Sequence, residues 1–193
     1  MKVIFLDIDG VLNSQDWYQK RSDLLDKKQV SDNYPFYEFD PDAIDLLNYI
    51  IERTWAKVVV SSSWRRGRRS EDLQKILDRV GFIGEVIDVT PSLHCRIDGE
   101  PAGYTIPRGC EIDWWLKNHG GFQRVNWSKE KQQEYTDKAK VKNYVILDDD
   151  SDMLFRQREH YVQTKTIHGL TKELADRAIS ILNKSLIELY YNE

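Results

Sequence analysis

The sequence predicts an α/β domain of three layers, in which helices cover both faces of a mainly parallel central sheet. Short apolar runs alternate along the chain with longer segments of helical periodicity. The two strongest runs, 3–6 and 58–60, are continuous rather than alternating, as expected of strands buried on both faces. With 193 residues, of which 40% are hydrophobic, the chain suits one compact domain that we expect to span 1–193.

Five apolar runs are predicted to form the strands of the sheet. They cover residues 2–6, 57–61, 85–89, 144–147 and, more weakly, 162–167. Because the segments between these runs are long enough for helices and carry helical patterns, we expect the strands to run parallel.

Capping residues mark where the helices begin. Asp40 followed by Pro41 is typical of an N-cap with proline at the first helical position. Ser70, with two acids behind it, begins a second helix, and Thr171 caps a third. A fourth helix is predicted over 109–118. Three less regular segments are interpreted as excursions from the sheet: 14–39, 90–107 and 120–142.

The composition excludes several classes of function. The 28 basic and 32 acidic residues give a net charge of −4, which excludes a globally basic nucleic-acid binder but permits a local basic patch. Two cysteines, Cys95 and Cys110, are too few for a disulfide framework, so we expect a cytoplasmic protein. No run approaches the roughly 18 apolar residues that a membrane span requires, so no membrane partner is expected.

Acidic and hydroxyl side chains directly follow three of the predicted strands. These segments are Asp7-Ile8-Asp9-Gly10, Ser61-Ser62-Ser63-Trp64-Arg65 and Asp148-Asp149-Asp150. The carboxyl ends of parallel strands meet at one edge of the sheet, where ligands bind. Several carboxylates in one crevice repel one another unless a cation neutralises them, and such oxygen-rich sites suit Mg²⁺. The sequence therefore predicts a magnesium site at this edge.

These motifs resemble those of the haloacid dehalogenase (HAD) superfamily of phosphotransferases. The segment from Asp7 to Val11 matches the superfamily's first motif, and a serine and an acidic pair follow in the same order. The segment 61–65 and Arg108-Gly109-Cys110-Glu111-Ile112 look like parts of the HAD domains of RNA-repair and polynucleotide-phosphatase proteins. The resemblance spans about 2–152. It implies a Rossmann-like three-layer sandwich with a mainly parallel central sheet.

The resemblance gives roles to the first two motifs. It implies that Asp7 is the nucleophile, which attacks phosphorus and carries an aspartyl-phosphate intermediate. Asp9 would protonate the leaving oxygen and then activate the water that hydrolyses the intermediate. A serine would donate a hydrogen bond to the phosphoryl group. We expect this to be Ser62, with Ser61 and Ser63 as alternatives because strand ends shift by a residue or two.

The resemblance also implies a cation that stabilises charge on the transferring phosphoryl group. Arg108 fits this role best, with Lys140 and Lys142 as alternatives before the fourth strand. The superfamily's last motif supplies a carboxylate to the metal, and Asp149 occupies its position. The predicted Mg²⁺ ligands are Asp7, Asp9, Asp148 and Asp149.

The lengths of the irregular segments bear on the size of the substrate. Many members of the superfamily cover the site with a cap domain, but neither 14–39 nor 90–107 is long enough for a substantial folded cap. A site without a lid admits large substrates such as RNA or DNA ends. The most basic stretch of the chain, 64–69, suits phosphate backbones. The predicted substrate-binding residues are Ser63, Arg65 and Arg66.

The sequence thus favours a Mg²⁺-dependent phosphomonoester hydrolase that acts on a nucleic-acid end or a nucleotide phosphate. It names no protein partner. Two alternatives stay open: a phosphatase of a small metabolite or phosphoprotein, and a receiver-like module whose phosphorylated aspartate turns over slowly. Receivers carry the phosphoacceptor after a later strand, so Asp7 and Asp9 after the first strand fit the HAD order better.

Overall fold

The computed structural model describes residues 1–27, 38–95, 104–120 and 140–184. A five-stranded parallel sheet lies between two layers of helices, which confirms the predicted fold class. The strands are β1 (Lys2–Leu6), β2 (Lys57–Val60), β3 (Val86–Val89), β4 (His94–Cys95), β5 (Tyr104–Thr105), β6 (Asn143–Asp148) and β7 (Tyr161–Gln163). The helices are α1 (Gln15–Asp26), α2 (Pro41–Thr54), α3 (Ser70–Arg79), α4 (Arg108–Asn118) and α5 (Lys172–Asn183).

The large sheet has the strand order β3-β2-β1-β6-β7, with β1 at its centre. Every pairing within it is parallel. All residues of β6 and all but the first of β1 are buried, which explains their continuous apolar runs. Because the strands point the same way, the residues that follow β1, β2 and β6 are brought together at the carboxyl edge.

Side chains alternate between the two faces of the sheet and form two apolar clusters. On one face, Val3 and Phe5 of β1 pack against α4, where Trp115 meets Phe5 edge-on with ring centroids 5.4 Å apart. On the other face, Ile4 and Leu6 of β1 pack in a cluster with α2, α3 and α5. Continuing this alternation by one step places Asp7 on the α4 side of the sheet, and this decides which helix can reach it.

The predicted helix starts are found where the capping residues indicated. The carboxylate of Asp40 accepts a hydrogen bond from Asp42 N (3.0 Å), and Pro41 opens α2. The hydroxyl of Thr171 accepts one from Leu174 N at the start of α5 (3.4 Å). These bonds satisfy backbone N–H groups that have no partner within the first turn.

Two predicted segments differ from the structure. The weak run 162–167 is a strand only as far as Gln163, because the chain then turns and Gly169 N donates to Lys165 O (2.8 Å). The segment 14–39 contains α1, which the irregular sequence pattern did not indicate. Ser14 caps this helix by accepting a hydrogen bond from Trp17 N (3.1 Å).

In the parts of the chain that the structure describes, no separate cap domain covers the carboxyl edge. Between β3 and α4, the described secondary structure consists of β4 and β5, which pair antiparallel over two residues each. Within the described ranges, no helix is both long enough and apolar enough to cross a membrane.

Candidate active site

Three carboxylates gather at the carboxyl edge of the sheet. Asp7 follows β1 and is buried, Asp148 ends β6 and is fully buried, and Asp149 comes next. Leu6 pairs with Leu147 in the sheet, so the next residues of the two strands, Asp7 and Asp148, lie side by side. One carboxylate oxygen from each of the three acids lies within 4.8 Å of the other two. We call Asp7, Asp148 and Asp149 the acidic cluster.

Arg108, the first residue of α4, reaches the acidic cluster. Its Nη1 lies 3.3 Å from Asp7 Oδ1, and its Nε lies 3.4 Å from Asp148 Oδ2. The alternatives, Lys140 and Lys142, lie at the opposite edge of the sheet, where their backbones bond Met1. Of the three candidate cations, the structure therefore brings Arg108 to the acids.

The start of α4 is held at the cluster by the loop after β6. Asp152 Oδ2 accepts a hydrogen bond from Arg108 N (2.7 Å), and Asp152 O accepts one from Gly109 N (3.3 Å). Gly109 packs so closely against the backbone of Leu154 that a Cβ atom would collide with it. The glycine thus lets α4 approach close enough for Arg108 to reach Asp7.

Burial, together with the surplus of acids over cations, shifts the pKa values at the site. Burial raises the pKa of Asp148 to about 7; the charge of Asp7 adds to this effect and Arg108 opposes it. Burial likewise raises the pKa of Asp7, against the charge of Arg108 and a hydrogen bond from Ser62. Burial would lower the pKa of Arg108, but the carboxylates of Asp7 and Asp148 outweigh it and raise that pKa.

The acidic cluster fits a bound cation. Asp148 Oδ2 is buried and, among the described residues, has no hydrogen-bond partner; the Arg108 guanidinium, 3.4 Å away, is shared with Asp7. A buried carboxylate oxygen is costly unless a donor or a cation satisfies it. Asp149 Oδ2 is oriented by the hydroxyl of Thr166, which donates to it at 2.6 Å. Carboxylate oxygens in this arrangement are ligands that hard divalent cations prefer.

The three serines after β2 have different surroundings. Ser62 is fully buried and its hydroxyl donates to the carboxylate of Asp7. Ser61 is also buried, and its oxygen accepts a hydrogen bond from the hydroxyl of Thr90 (3.4 Å). Ser63 is exposed and lines a cleft beside the acidic cluster. Of the three alternatives, Ser62 is therefore the one next to Asp7.

Asp9 is near Asp7 but lies outside the acidic cluster. Its side chain is exposed, and both its oxygens lie within 3.2 Å of the indole Nε1 of Trp64. Asn13 Nδ2 donates a second hydrogen bond to Asp9 Oδ1 (2.9 Å).

Gly10 follows Asp9 and lies against the Asp149 carboxylate. Its φ is +74°, and a Cβ atom at this position would collide with that carboxylate. A left-handed glycine is thus required at this turn.

The two predicted substrate-binding arginines differ in their exposure to solvent. Arg65 is buried and forms an ion pair with the equally buried Glu111 of α4. Its Nη1 also donates to Ser61 O (3.1 Å) and Ser62 O (2.7 Å). Both arginines line the same cleft as Ser63, which has a volume of about 160 Å³, but only Arg66 is exposed. Arg65 therefore lies in the wall of the cleft with its charge neutralised by Glu111, and Arg66 presents its charge to solvent.

The sequence does not predict two contacts that the structure places beside the site. Trp64 belongs to the stretch 64–69, which predicts nucleic-acid binding, whereas in the structure its indole donates a hydrogen bond to Asp9. Glu111 was part of a quoted motif, but only the structure pairs it with Arg65. The one available signal was its position in the first turn of α4, one turn after Arg108. Both contacts join segments distant in sequence, so local patterns do not reveal them.

Comparison with known proteins gives one match. The model of the family described as the HAD domain in Swiss Army Knife RNA repair proteins matches residues 3–175. No curated protein and no solved structure matches the chain. The matched range contains Asp7, Ser62, Arg108, Asp148 and Asp149, whose side chains meet at the carboxyl edge.

Proposed function

Because the chain belongs to the HAD domains of Swiss Army Knife RNA repair proteins, we propose that it is a Mg²⁺-dependent phosphomonoester hydrolase acting on nucleic-acid ends. Membership of the family implies hydrolase chemistry of the phosphatase type. One observation carries the mechanistic proposal: Asp7 lies against Ser62, Arg108 and Asp148 at the open edge of the sheet.

We assign the metal to the acidic cluster, with Asp7, Asp148 and Asp149 as its protein ligands. Two observations support this assignment: Asp148 Oδ2 is buried without a hydrogen bond from the described residues, and the acids outnumber the nearby cations. Bound there, Mg²⁺ would neutralise the carboxylates and polarise the phosphoryl oxygens. Asp9 was predicted as a fourth ligand. Since its carboxylate accepts hydrogen bonds from Trp64 and Asn13, we do not assign Asp9 to the metal.

Asp7 would act as the nucleophile. In the first step, a carboxylate oxygen of Asp7 forms a bond to phosphorus while the bond from phosphorus to the leaving oxygen breaks. The leaving oxygen keeps the electron pair of that bond and takes the proton of Asp9. In the second step, water attacks the phosphorus of the aspartyl-phosphate and gives a proton to Asp9. The bond between phosphorus and the Asp7 oxygen breaks, and this step releases the Asp7 carboxylate and inorganic phosphate. The sum of the two steps is hydrolysis of one phosphomonoester.

Ser62 and Arg108 would hold the phosphoryl group during both steps. The hydroxyl of Ser62 and the guanidinium of Arg108 already converge on Asp7, where the phosphoryl oxygens must lie. Positively charged and hydroxyl donors fixed at that point stabilise the charge that builds up as the bond to phosphorus changes. The raised pKa of Arg108 keeps its guanidinium protonated throughout.

A nucleic-acid end is the substrate class that the surroundings favour. In the described residues no cap domain closes over the site, so a polymer can approach the edge. Arg66, Arg68 and Arg69 are exposed beside the second motif, and Arg66 lines the cleft next to Arg108. Exposed arginines of this kind suit the successive phosphates of a nucleic-acid strand. Arg65 is left out of this surface, because Glu111 neutralises it inside the protein.

The experiment compares a 3′- or 5′-phosphorylated oligonucleotide with a mononucleotide and an aryl phosphate, all with Mg²⁺. The variant Arg68→Ala with Arg69→Ala should lower kcat/KM for the oligonucleotide about 10-fold and reduce its salt dependence, because fewer counterions are released. The matched control, Lys75→Ala with Arg79→Ala, removes two exposed charges further along α3. Equal losses on all three substrates, or the same loss in the control, would contradict a nucleic-acid substrate and favour a small metabolite.

A further inference from the structure

Trp64 occupies a position that controls the orientation of Asp9. It lies in a short 3₁₀ turn, Ser63–Arg65, directly after the phosphoryl-binding Ser62. Its indole Nε1 is 3.2 Å from Asp9 Oδ1 and 3.1 Å from Asp9 Oδ2. A tryptophan N–H is a donor only, so it can hold a carboxyl group without exchanging protons with it.

The indole is fixed by contacts that do not involve Asp9. Its ring meets that of Phe39 at an interplanar angle of 60°, with centroids 5.3 Å apart, and Phe39 is itself buried. The backbone N of Trp64 donates to the hydroxyl oxygen of Ser62 (3.4 Å). Trp64 also packs against the apolar cluster on the α2 side of the sheet. The Trp64 indole is therefore held in place independently of Asp9.

The two oxygens of Asp9 are not equivalent. Oδ1 accepts hydrogen bonds from both Trp64 and Asn13, whereas among the described residues Oδ2 accepts one from Trp64 alone. Asn13 is in turn fixed, because its Oδ1 accepts a hydrogen bond from Gly10 N (2.9 Å). The carboxyl group is therefore held from two sides, by Trp64 at both oxygens and by Asn13 at Oδ1.

From this geometry we propose that Trp64 is a positioning residue for general acid catalysis by Asp9, an inference that rests on the proposed function. Trp64 and Asn13 together hold the Asp9 carboxyl group in one orientation, from which Asp9 passes its proton to the leaving oxygen. A group that is already oriented loses less conformational freedom on the way to the transition state, so fixing Asp9 raises the rate.

The test uses phosphomonoesters whose leaving groups differ in basicity, from 4-nitrophenyl phosphate to an alkyl phosphate. Good leaving groups depart without a proton, whereas alkoxides require one. In Trp64→Phe, which keeps an aromatic ring but lacks the N–H, kcat/KM should fall about 10-fold for the alkyl phosphate and less than about 2-fold for 4-nitrophenyl phosphate. Trp55→Phe is the matched control, since Trp55 is 83% exposed and precedes β2 at the opposite edge.

A double-mutant cycle with Asp9→Asn distinguishes a role through Asp9 from a purely structural one. If Trp64 acts through Asp9, Trp64→Phe should cause no further loss once Asp9 is replaced. Equal losses across all leaving groups, or undiminished losses in the Asp9→Asn background, would overturn the inference. Trp64→Leu also lacks a donor and repeats the test if the phenylalanine packs poorly. A wild-type protein that hydrolyses none of the esters would instead overturn the proposed function itself.

Discussion

Two buried groups of charges lie side by side near the carboxyl edge, and they are balanced differently. In the buried pair, Arg65 and Glu111 match one to one, and both side chains are less than a tenth exposed. In the acidic cluster, Asp7 and Asp148 share one arginine, Arg108, and Asp149 adds a third carboxylate. A balanced pair can serve the fold alone, whereas an unbalanced cluster costs stability unless something else binds there.

The two groups also differ in what their hydrogen bonds connect. Arg65 bonds the carbonyls of Ser61 and Ser62, and Glu111 accepts a hydrogen bond from Leu93 N (2.8 Å). These bonds tie the loop after β2 to α4 and to the chain after β3. The acidic cluster also accepts hydrogen bonds, from Arg108 to Asp7 and from Thr166 to Asp149, but these leave its charges unbalanced, with three carboxylates close to one guanidinium. Removing charge should therefore harm activity in one group and stability in the other.

The largest expected effect is on turnover. Asp7→Asn should reduce hydrolysis of an aryl phosphate at least about 1000-fold, because an amide cannot act as the nucleophile. The melting temperature should not fall, since the substitution removes a charge from a cluster with too many. Asp45→Asn, on the exposed side of α2, is the control with the same change of side chain. An Asp7→Asn variant that keeps a tenth of wild-type turnover would refute the covalent mechanism.

The second effect is on metal-linked stability. A cation bound only to the folded state at 100 times its dissociation constant stabilises it by about 2.7 kcal/mol, which raises the melting temperature by roughly 5–10 °C for a chain of this size. We expect such a rise on adding Mg²⁺ to wild type, and loss of activity in chelator. Asp148→Asn should show neither activity nor the rise. Equal Mg²⁺-induced shifts in both proteins would remove the acidic cluster as the metal site.

The third effect concerns the buried pair. Glu111→Gln should lower the free energy of unfolding by about 3 kcal/mol, because it leaves the Arg65 guanidinium buried without its countercharge. The glutamine keeps an oxygen that can accept from Leu93 N, so the variant isolates the charge. Denaturant unfolding measures this loss. If Glu111→Gln unfolds at the wild-type denaturant concentration, the pair is not structural.

The smallest effect is expected for an exposed ion pair, which serves as a reference for the buried pair. Lys57 and Glu85 form an ion pair at the opposite edge of the sheet, with side chains 40% and 60% exposed. Glu85→Gln should change the free energy of unfolding by less than about 1 kcal/mol, because water screens exposed pairs. The same denaturant measurement applies. A loss as large as that of Glu111→Gln would show that burial does not explain the difference between the two pairs.

The sequence predicted the strands that carry the site because their apolar runs are local and continuous. The ends of β1 and β6 followed from these runs, and with them the positions of Asp7 and Asp148. The helix α1 was missed because its residues are mostly polar and exposed, so it has no apolar stripe to detect. That 1–193 is a single domain stays a prediction.

The side-chain partners within the site could not be predicted in the same way. Sequence order left Arg108, Lys140 and Lys142 as rival cations, and only the packing of α4 on the sheet decides among them. Likewise, Arg65 and Arg66 are neighbours in sequence, but the 3₁₀ turn directs one inward and the other outward. Such choices depend on contacts between distant segments, which single-residue patterns do not encode.

The placement of Arg108 on a helix rather than on a strand end has a consequence for how the protein folds. The apolar cluster on the α2 side of the sheet contains β1, β2 and β6 but not α4, which packs on the other face. A partly folded chain with only that first face assembled would hold Asp7 and Asp148 together without their arginine. During refolding, recovery of activity should therefore lag behind formation of the sheet and report on the docking of α4.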